Sequence, residues 1–153
     1  MINIRYGNIN EAALIAKFNQ AMALETEDKV LDPDLINRGV LAVFDNPQLG
    51  FYLMAEVDGV PVGSLMITTE WSDWRNGLFW WIQSVYVDPE YRRQGVFRSL
   101  YNKVHAMAEE DPAVCGIRLY VEQDNENAQR TYTSLGMTET AYRLYEETFT
   151  SLP

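Results

Sequence analysis

The sequence predicts an α/β fold in which one strand and two helices precede three consecutive strands, after which helices and strands alternate: β-α-α-β-β-β-α-β-α-β. Three observations carry this. An Asp58-Gly59 pair divides two β-rich runs, residues 78–87 are aromatic and β-branched almost throughout, and helical spacing of apolar residues takes over from Gly95.

Taken in order, Ile2, Ile4 and Tyr6 alternate as in a strand, and Asn8 with Glu11 has the spacing of a capping box before the apolar set Ala12, Ile15, Ala16 and Ala23. The acidic stretch Glu25-Thr26-Glu27-Asp28 reads as a linker. Asp32-Pro33-Asp34 starts a second helix carrying Leu35, Val40, Leu41 and Phe44, which Asn46-Pro47 ends. Two strands, Phe51–Val57 and a run from Val60 to Thr69, form a hairpin through Asp58-Gly59, because a tight turn there needs positive φ. After the turn-like residues 72–77 comes the strand over 78–87, ended by Asp88-Pro89. The stripe Val96, Phe97, Leu100, Tyr101, Val104, Met107 defines a helix up to Asp111-Pro112, and residues 117–121 read as the next strand. Asn125 opens a helix with the stripe Ala128, Tyr132, Leu135, which Gly136 stops, and the remainder through Tyr145 reads as a last strand.

A chain of 153 residues with 47% hydrophobic content suits one domain over its whole length, 1–153. The start of the chain has no basic segment leading into an apolar run, and no later stretch is long and apolar enough for a membrane span, so a cytoplasmic protein without a membrane partner is expected. One cysteine, Cys115, excludes an internal disulfide and suits a small hydrophobe at a strand start. One histidine, His105, leaves too few soft ligands for zinc, so no metal is expected, and histidine-based triads are disfavoured. The net charge of −10 opposes nucleic acid as a partner.

Chemistry concentrates on the segment Arg92-Arg93-Gln94-Gly95. A strand that turns through this loop into a helix leaves unpaired N–H groups at the helix start, and such a terminus binds anions. Gly95 permits close approach of the backbone, and Arg92, Arg93 and Arg98 add positive charge, which together suit a pyrophosphate.

Here the chain resembles the GCN5-related N-acetyltransferase (GNAT) family, whose Arg/Gln-x-x-Gly-x-Gly/Ala signature is approached by Arg92-Arg93-Gln94-Gly95-Val96-Phe97. The last position departs, Phe97 standing where the family has a small residue. Leu119-Tyr120-Val121, followed by Asn127-Ala128 and Tyr132, resembles the family's second conserved segment, and the likeness runs from residue 51 to about residue 137. It implies a GNAT-like fold with a central twisted mixed sheet, splayed between the strand ending at Val87 and the one ending at Val121. It also implies acetyl-CoA as co-substrate, with Val85, Tyr86 and Val87 alongside its pantetheine arm and Arg92, Arg93, Gln94, Gly95, Val96, Phe97, Arg98, Asn127 and Tyr132 completing the cofactor site. Direct transfer to an amine, with no acyl-enzyme, follows from the same likeness.

Aminolysis of a thioester needs an acceptor amine without its extra proton, donors for the oxyanion, and an acid for the departing thiolate. By analogy a strand N–H near Val85 serves the oxyanion, and Tyr132 is the acid. The base is less direct, because Gln83 stands where many family members have Glu, and an amide accepts no proton at neutral pH. Glu70 is the substitute, on the expectation that it is buried beside Trp71; Glu122, Glu25 and Glu27 are lesser candidates. Trp71 and Trp74, in a turn near this site, together with Glu25 and Gln83, are candidates for holding the acceptor, whereas Trp80 and Trp81 read as packing. His105 reads as structural.

Two other readings compete: a non-catalytic acyl-coenzyme A binding or sensing module on the same fold, and a dinucleotide-binding Rossmann domain. The second fails, since one glycine stands where three are needed and parallel strand-helix alternation is missing. The acceptor is a small-molecule or peptide amine whose identity, like the acyl preference, the sequence leaves open; a homodimer is compatible with it.

Overall fold

The computed structural model describes residues 1–149. They divide into two compact units, Met1–Arg118 and the part from Leu119 onward.

The first unit is a five-stranded mixed sheet with three helices. Strand β1 (Ile2–Tyr6) leads into α1 (Ala12–Glu27), and α2 (Pro33–Asp45) follows. Strands β2 (Phe51–Val57), β3 (Val60–Ser72) and β4 (Gly77–Val87) come next, then α3 (Val96–Glu110) and β5 (Val114–Arg118). The sheet order is β1-β2-β3-β4-β5, antiparallel except for the parallel β4/β5 pair. The second unit carries α4 (Glu126–Ser134), capped by the Asn125 side chain, which accepts from Ala128 N at 3.1 Å.

The local chemistry behaves as the residues dictate. Asp32 caps α2 with Pro33 in the first turn, and Asp58 and Gly59 take φ of 50° and 82°, the two positive values that a type I′ hairpin turn requires. Asn8 and Glu11 form the capping box. The core lies between the sheet and its helices: Ile15, Ala16 and Phe18 of α1 with Val40 and Val43 of α2 close over Tyr52, Met54 and Tyr86. Val96, Leu100 and Val104 of α3 are also fully buried, and α3 packs against all five strands. At Gly116 the close neighbour is an aromatic ring: an added Cβ would lie 2.7 Å from Phe79.

Three expectations are corrected. Glu25, Thr26 and Glu27 belong to α1, which ends only where Asp28 adopts a left-handed φ of 52°, so the acidic linker is shorter than the composition implied. The strand expected over residues 117–121 is β5 at Val114–Arg118, with Cys115 exposed rather than packed, because a register shift against β4 falls at that residue. The last strand, expected to run through Tyr145, does not form: residues 138–149 carry neither helix nor strand, since strand propensity alone does not make a strand without a paired neighbour.

Arg5 on β1 ties the start of the fold together. Its guanidinium grips Glu11 with two bonds of 2.8 and 2.9 Å and donates from Nε to Glu56 at 3.0 Å. Arg5 holds the Glu11 carboxyl below the usual carboxylate range, aided by the bond from Asn8 N and opposed by burial. A carboxyl depressed in the folded state contributes stability above its unfolded pKa, and that contribution is lost as pH falls through the folded value. Glu11→Gln should therefore cost about 1–2 kcal/mol at neutral pH and clearly less near pH ~3, checked by denaturant melts at both.

Candidate active site

The sheet forks at the end of β5. Pairing with β4 runs from Leu78↔Val114 to Trp81↔Arg118 and stops, so among the described residues no strand bonds the β5 side of residues 82–87. Just beyond the fork β4 is irregular: its register with β3 shifts between Ser64 and Met66, and Ser84 takes a left-handed φ of 54°. A non-glycine residue in that conformation inside a strand costs on the order of 1 kcal/mol, and the bulge re-aims the neighbouring amides, Val85 among them. Gly63 permits this crowding, since a Cβ there would stand 2.7 Å from the Tyr86 carbonyl oxygen.

The loop after β4 is built to present backbone amides. Asp88 accepts from Glu90 N at 2.9 Å and donates its own N–H to Val62 O at 2.7 Å, anchoring a short helical turn at Pro89–Tyr91. Arg93 and Gly95 then both take positive φ, 64° and 86°, and Gly95 is the N-cap of α3 with no side chain capping it. Space around Gly95 is open, and Val96 is buried, so only its amide can serve a ligand. Phe97 directs its ring along α3 toward Tyr101, 6.5 Å between centroids, which leaves its N–H in the first turn despite its bulk. Arg93 and Arg98 are exposed, while Gln94 donates to Glu90 O at 3.0 Å and braces the loop.

Arg92 is held on three sides. Its Nε donates to Val87 O at 2.8 Å, its Nη2 meets Glu25 Oε2 at 2.7 Å, and its guanidinium lies 5.6 Å from the Tyr86 ring, which itself stacks on Phe18. Glu25, read from the sequence as an acceptor-side residue, thus stands at the loop after β4 and fixes Arg92. For the coenzyme A site that the family resemblance implies, Arg93→Ala should weaken binding by about 1–3 kcal/mol through loss of charge; Arg92→Ala should lose at least as much, because the α1 tie to the loop goes with it. Isothermal titration of both variants measures the difference.

One face of β3, β4 and β5 carries polar side chains in two hydrogen-bonded groups. Thr68 Oγ1 donates to Gln83 Oε1 at 2.8 Å, while Trp81 Nε1 and Arg118 Nη1 both donate to Glu70 Oε1, at 3.0 and 2.9 Å. Arg118 stacks 3.6 Å over the Phe79 ring. The expected burial of Glu70 beside Trp71 does not occur: neighbours along a strand point to opposite faces, Glu70 is exposed, and the aromatic partner is Trp81 from the next strand. Trp71 and Trp74 are exposed around the β3/β4 turn, and Trp80 is core, edge-on to Phe51. Glu27 pairs with Lys29, and His105 pairs with Glu109 one helical turn on.

In the second unit Tyr132 is half-buried on α4, and burial raises its phenol above the ordinary value, so it holds its proton at neutral pH. Asn127, in the first turn of α4, is exposed and accepts from Arg130. Ser84, Thr68 and Arg118 are the positions sequence reading missed. An arginine ending an otherwise apolar strand is a signal that could have flagged Arg118, whereas a serine gives no hint of left-handed backbone.

An uncapped helix start behind a left-handed glycine lies next to a strand edge that, among the described residues, a fork leaves open, and comparison with known proteins places the fold. The acetyltransferase (GNAT) family pattern matches residues 14–137, and the chain belongs to that family, whose members are acyltransferases. A possible acetyltransferase from Clostridium difficile 630 is 46% identical, with 99% of each chain covered and a TM-score of 0.92. Two more distant structures share the fold. A ribosomal-protein-alanine N-acetyltransferase from Brucella melitensis biovar Abortus 2308 has 16% identity, 98% and 100% coverage and a TM-score of 0.77. A predicted acetyltransferase with acetyl-CoA from Clostridium acetobutylicum has 17% identity, 96% coverage of each chain and a TM-score of 0.75. No curated protein sequence matches the chain.

Proposed function

We propose that this protein transfers an acetyl group from acetyl-CoA directly to the amine of a small molecule or peptide. The observation that carries the reading is the uncapped start of α3 behind Arg93 and Gly95, both left-handed, beside an edge of β4 that no strand bonds among the described residues. The pyrophosphate lies on the amides of residues 95–98 with Arg92 and Arg93 around it, and the pantetheine arm runs along residues 85–87 as an added strand would. The amine attacks the thioester carbon, its carbonyl oxygen takes the negative charge and accepts from the Val85 N–H, and the carbon-sulfur bond breaks as Tyr132 gives its proton to the leaving sulfur. Glu70 takes the proton that the amine gives up, directly or through water. Trp71 and Trp74 meet the acceptor, and Gln83, its carbonyl engaged by Thr68, offers its NH2 group. No metal takes part, and the cytoplasm is the proposed compartment, because a chain with one cysteine has no internal disulfide to maintain.

Glu70→Gln should lower turnover about 10²-fold at neutral pH and recover partly at high pH, where more of the amine arrives deprotonated. A deficit that stays constant across the pH profile would make Glu70 a binding residue. The reading as a whole is tested by release of free thiol from acetyl-CoA over a panel of amines. Coenzyme A binding with no turnover of any amine would favour the sensing module, for which Gln83 in place of a carboxylate is the specific support; failure to bind would remove both.

A further inference from the structure

We propose that Arg118 is a positioning residue for the transfer, holding the Glu70 carboxylate by one oxygen so that the other, Oε2, stays open to the acceptor's proton. The inference rests on Glu70 as the base and adds what aims it. Both bonds to that carboxylate end on one atom, Oε1: Arg118 Nη1 donates at 2.9 Å and Trp81 Nε1 at 3.0 Å. Among the described residues no hydrogen bond falls on Oε2. The Glu70 side chain is 47% exposed, so without fixed donors it would exchange rotamers in solvent. An ion pair this exposed adds little to stability, and its consequence is the orientation of the carboxylate.

An ion pair orients its anion only if the cation is itself fixed, and Arg118 is. Glu70 stands opposite Phe79 and Trp81 opposite Arg118, so the four side chains share one face of the sheet, with Arg118 reaching across β4 to β3. Its guanidinium lies 3.6 Å from the centroid of the Phe79 ring, which is 8% exposed and cannot swing away. A planar guanidinium stacks by its face and donates by its edge, so the contact with the ring sets the direction of the bond to Glu70. In the transfer an N–H bond of the amine breaks, its electron pair stays on nitrogen, and an O–H bond forms at Oε2. Oε1 keeps both donors throughout, and the carboxyl has no reorientation to make.

The test is steady-state kinetics with acetyl-CoA and the panel amine that the parent protein turns over fastest. Arg118→Met keeps an unbranched chain over the Phe79 ring and deletes the donor; kcat should fall about 10-fold, with KM for acetyl-CoA and the melting temperature close to the parent's. In a Glu70→Gln background the same change should cost nothing further, because there is no longer a base to aim. An unchanged kcat in Arg118→Met, or the same loss in both backgrounds, overturns the positioning role while leaving Glu70 as the base. Glu70→Gln with parental turnover, or a parent that turns over no amine, removes the base and the positioning role together. Should Arg118→Met not fold, Arg118→Lys takes its place: a cation without the planar fork, for which the same loss and the same cycle are expected. A readout free of turnover is the Trp81 indole N–H resonance, assigned through Trp81→Phe. It should move in Glu70→Gln and also in Arg118→Met, where the shared oxygen is no longer held; a resonance that only Glu70→Gln moves overturns the proposal.

Discussion

Replacing Tyr132 by Phe is expected to lower kcat by roughly 10²–10⁴ while leaving coenzyme A affinity and melting temperature close to those of the parent. The ring that packs on α4 is kept, and only the hydroxyl goes, which burial holds protonated. A proton needed as the carbon-sulfur bond breaks is used in the transition state and not in the bound ground state, so the loss should fall on kcat more than on KM. Raising the pH should not restore the variant, in contrast to Glu70→Gln, because the role proposed for the missing group is that of an acid. Steady-state kinetics across pH separates the two residues, and full activity in Tyr132→Phe would assign the tyrosine to packing.

Gly95→Val is expected to abolish coenzyme A binding within the range of a calorimetric titration. Two causes combine: a β-branched residue is strained at φ 86°, and its side chain fills the open space in front of the first turn of α3, the place proposed for the pyrophosphate. Gly95→Asn distinguishes them. Asparagine tolerates the left-handed conformation, so a folded Asn variant that fails to bind identifies obstruction as the cause, whereas one that binds well identifies backbone geometry. Retained binding in Gly95→Val would move the cofactor off α3 altogether.

What could be read from the residues was local. Asn8 and Glu11, Asp32-Pro33 and Asp58-Gly59 each declare a cap or turn through their own side chains or backbone freedom, and each stands where it was expected. The loop at residues 92–95 was readable for the same reason, since a strand end, a glycine and a helix stripe lie within one short stretch. Three features were not readable, all set by partners distant in sequence. Ser84 is left-handed because β4 must shift register against β3, and nothing in a serine encodes that. Glu70 finds Trp81 from β4 and Arg118 from β5 rather than its neighbour Trp71. The run Leu119-Tyr120-Val121 has strand composition, yet pairing with β4 ends at Arg118, because a strand requires a partner as well as a propensity.

Gly116 gives the missing side chain at one position a reach across three strands. Because nothing projects from its Cα, the Phe79 ring can settle over it, and the flat upper side of that ring is the shelf on which Arg118 lies 3.6 Å away with its Nη1 on Glu70. An alanine at 116 would lift the ring, the ring would lift the guanidinium, and Glu70 would lose one of its two donors without any change at position 70. A residue with no chemistry of its own thereby acts as the spacer that sets the height of a carboxylate one strand beyond its neighbour.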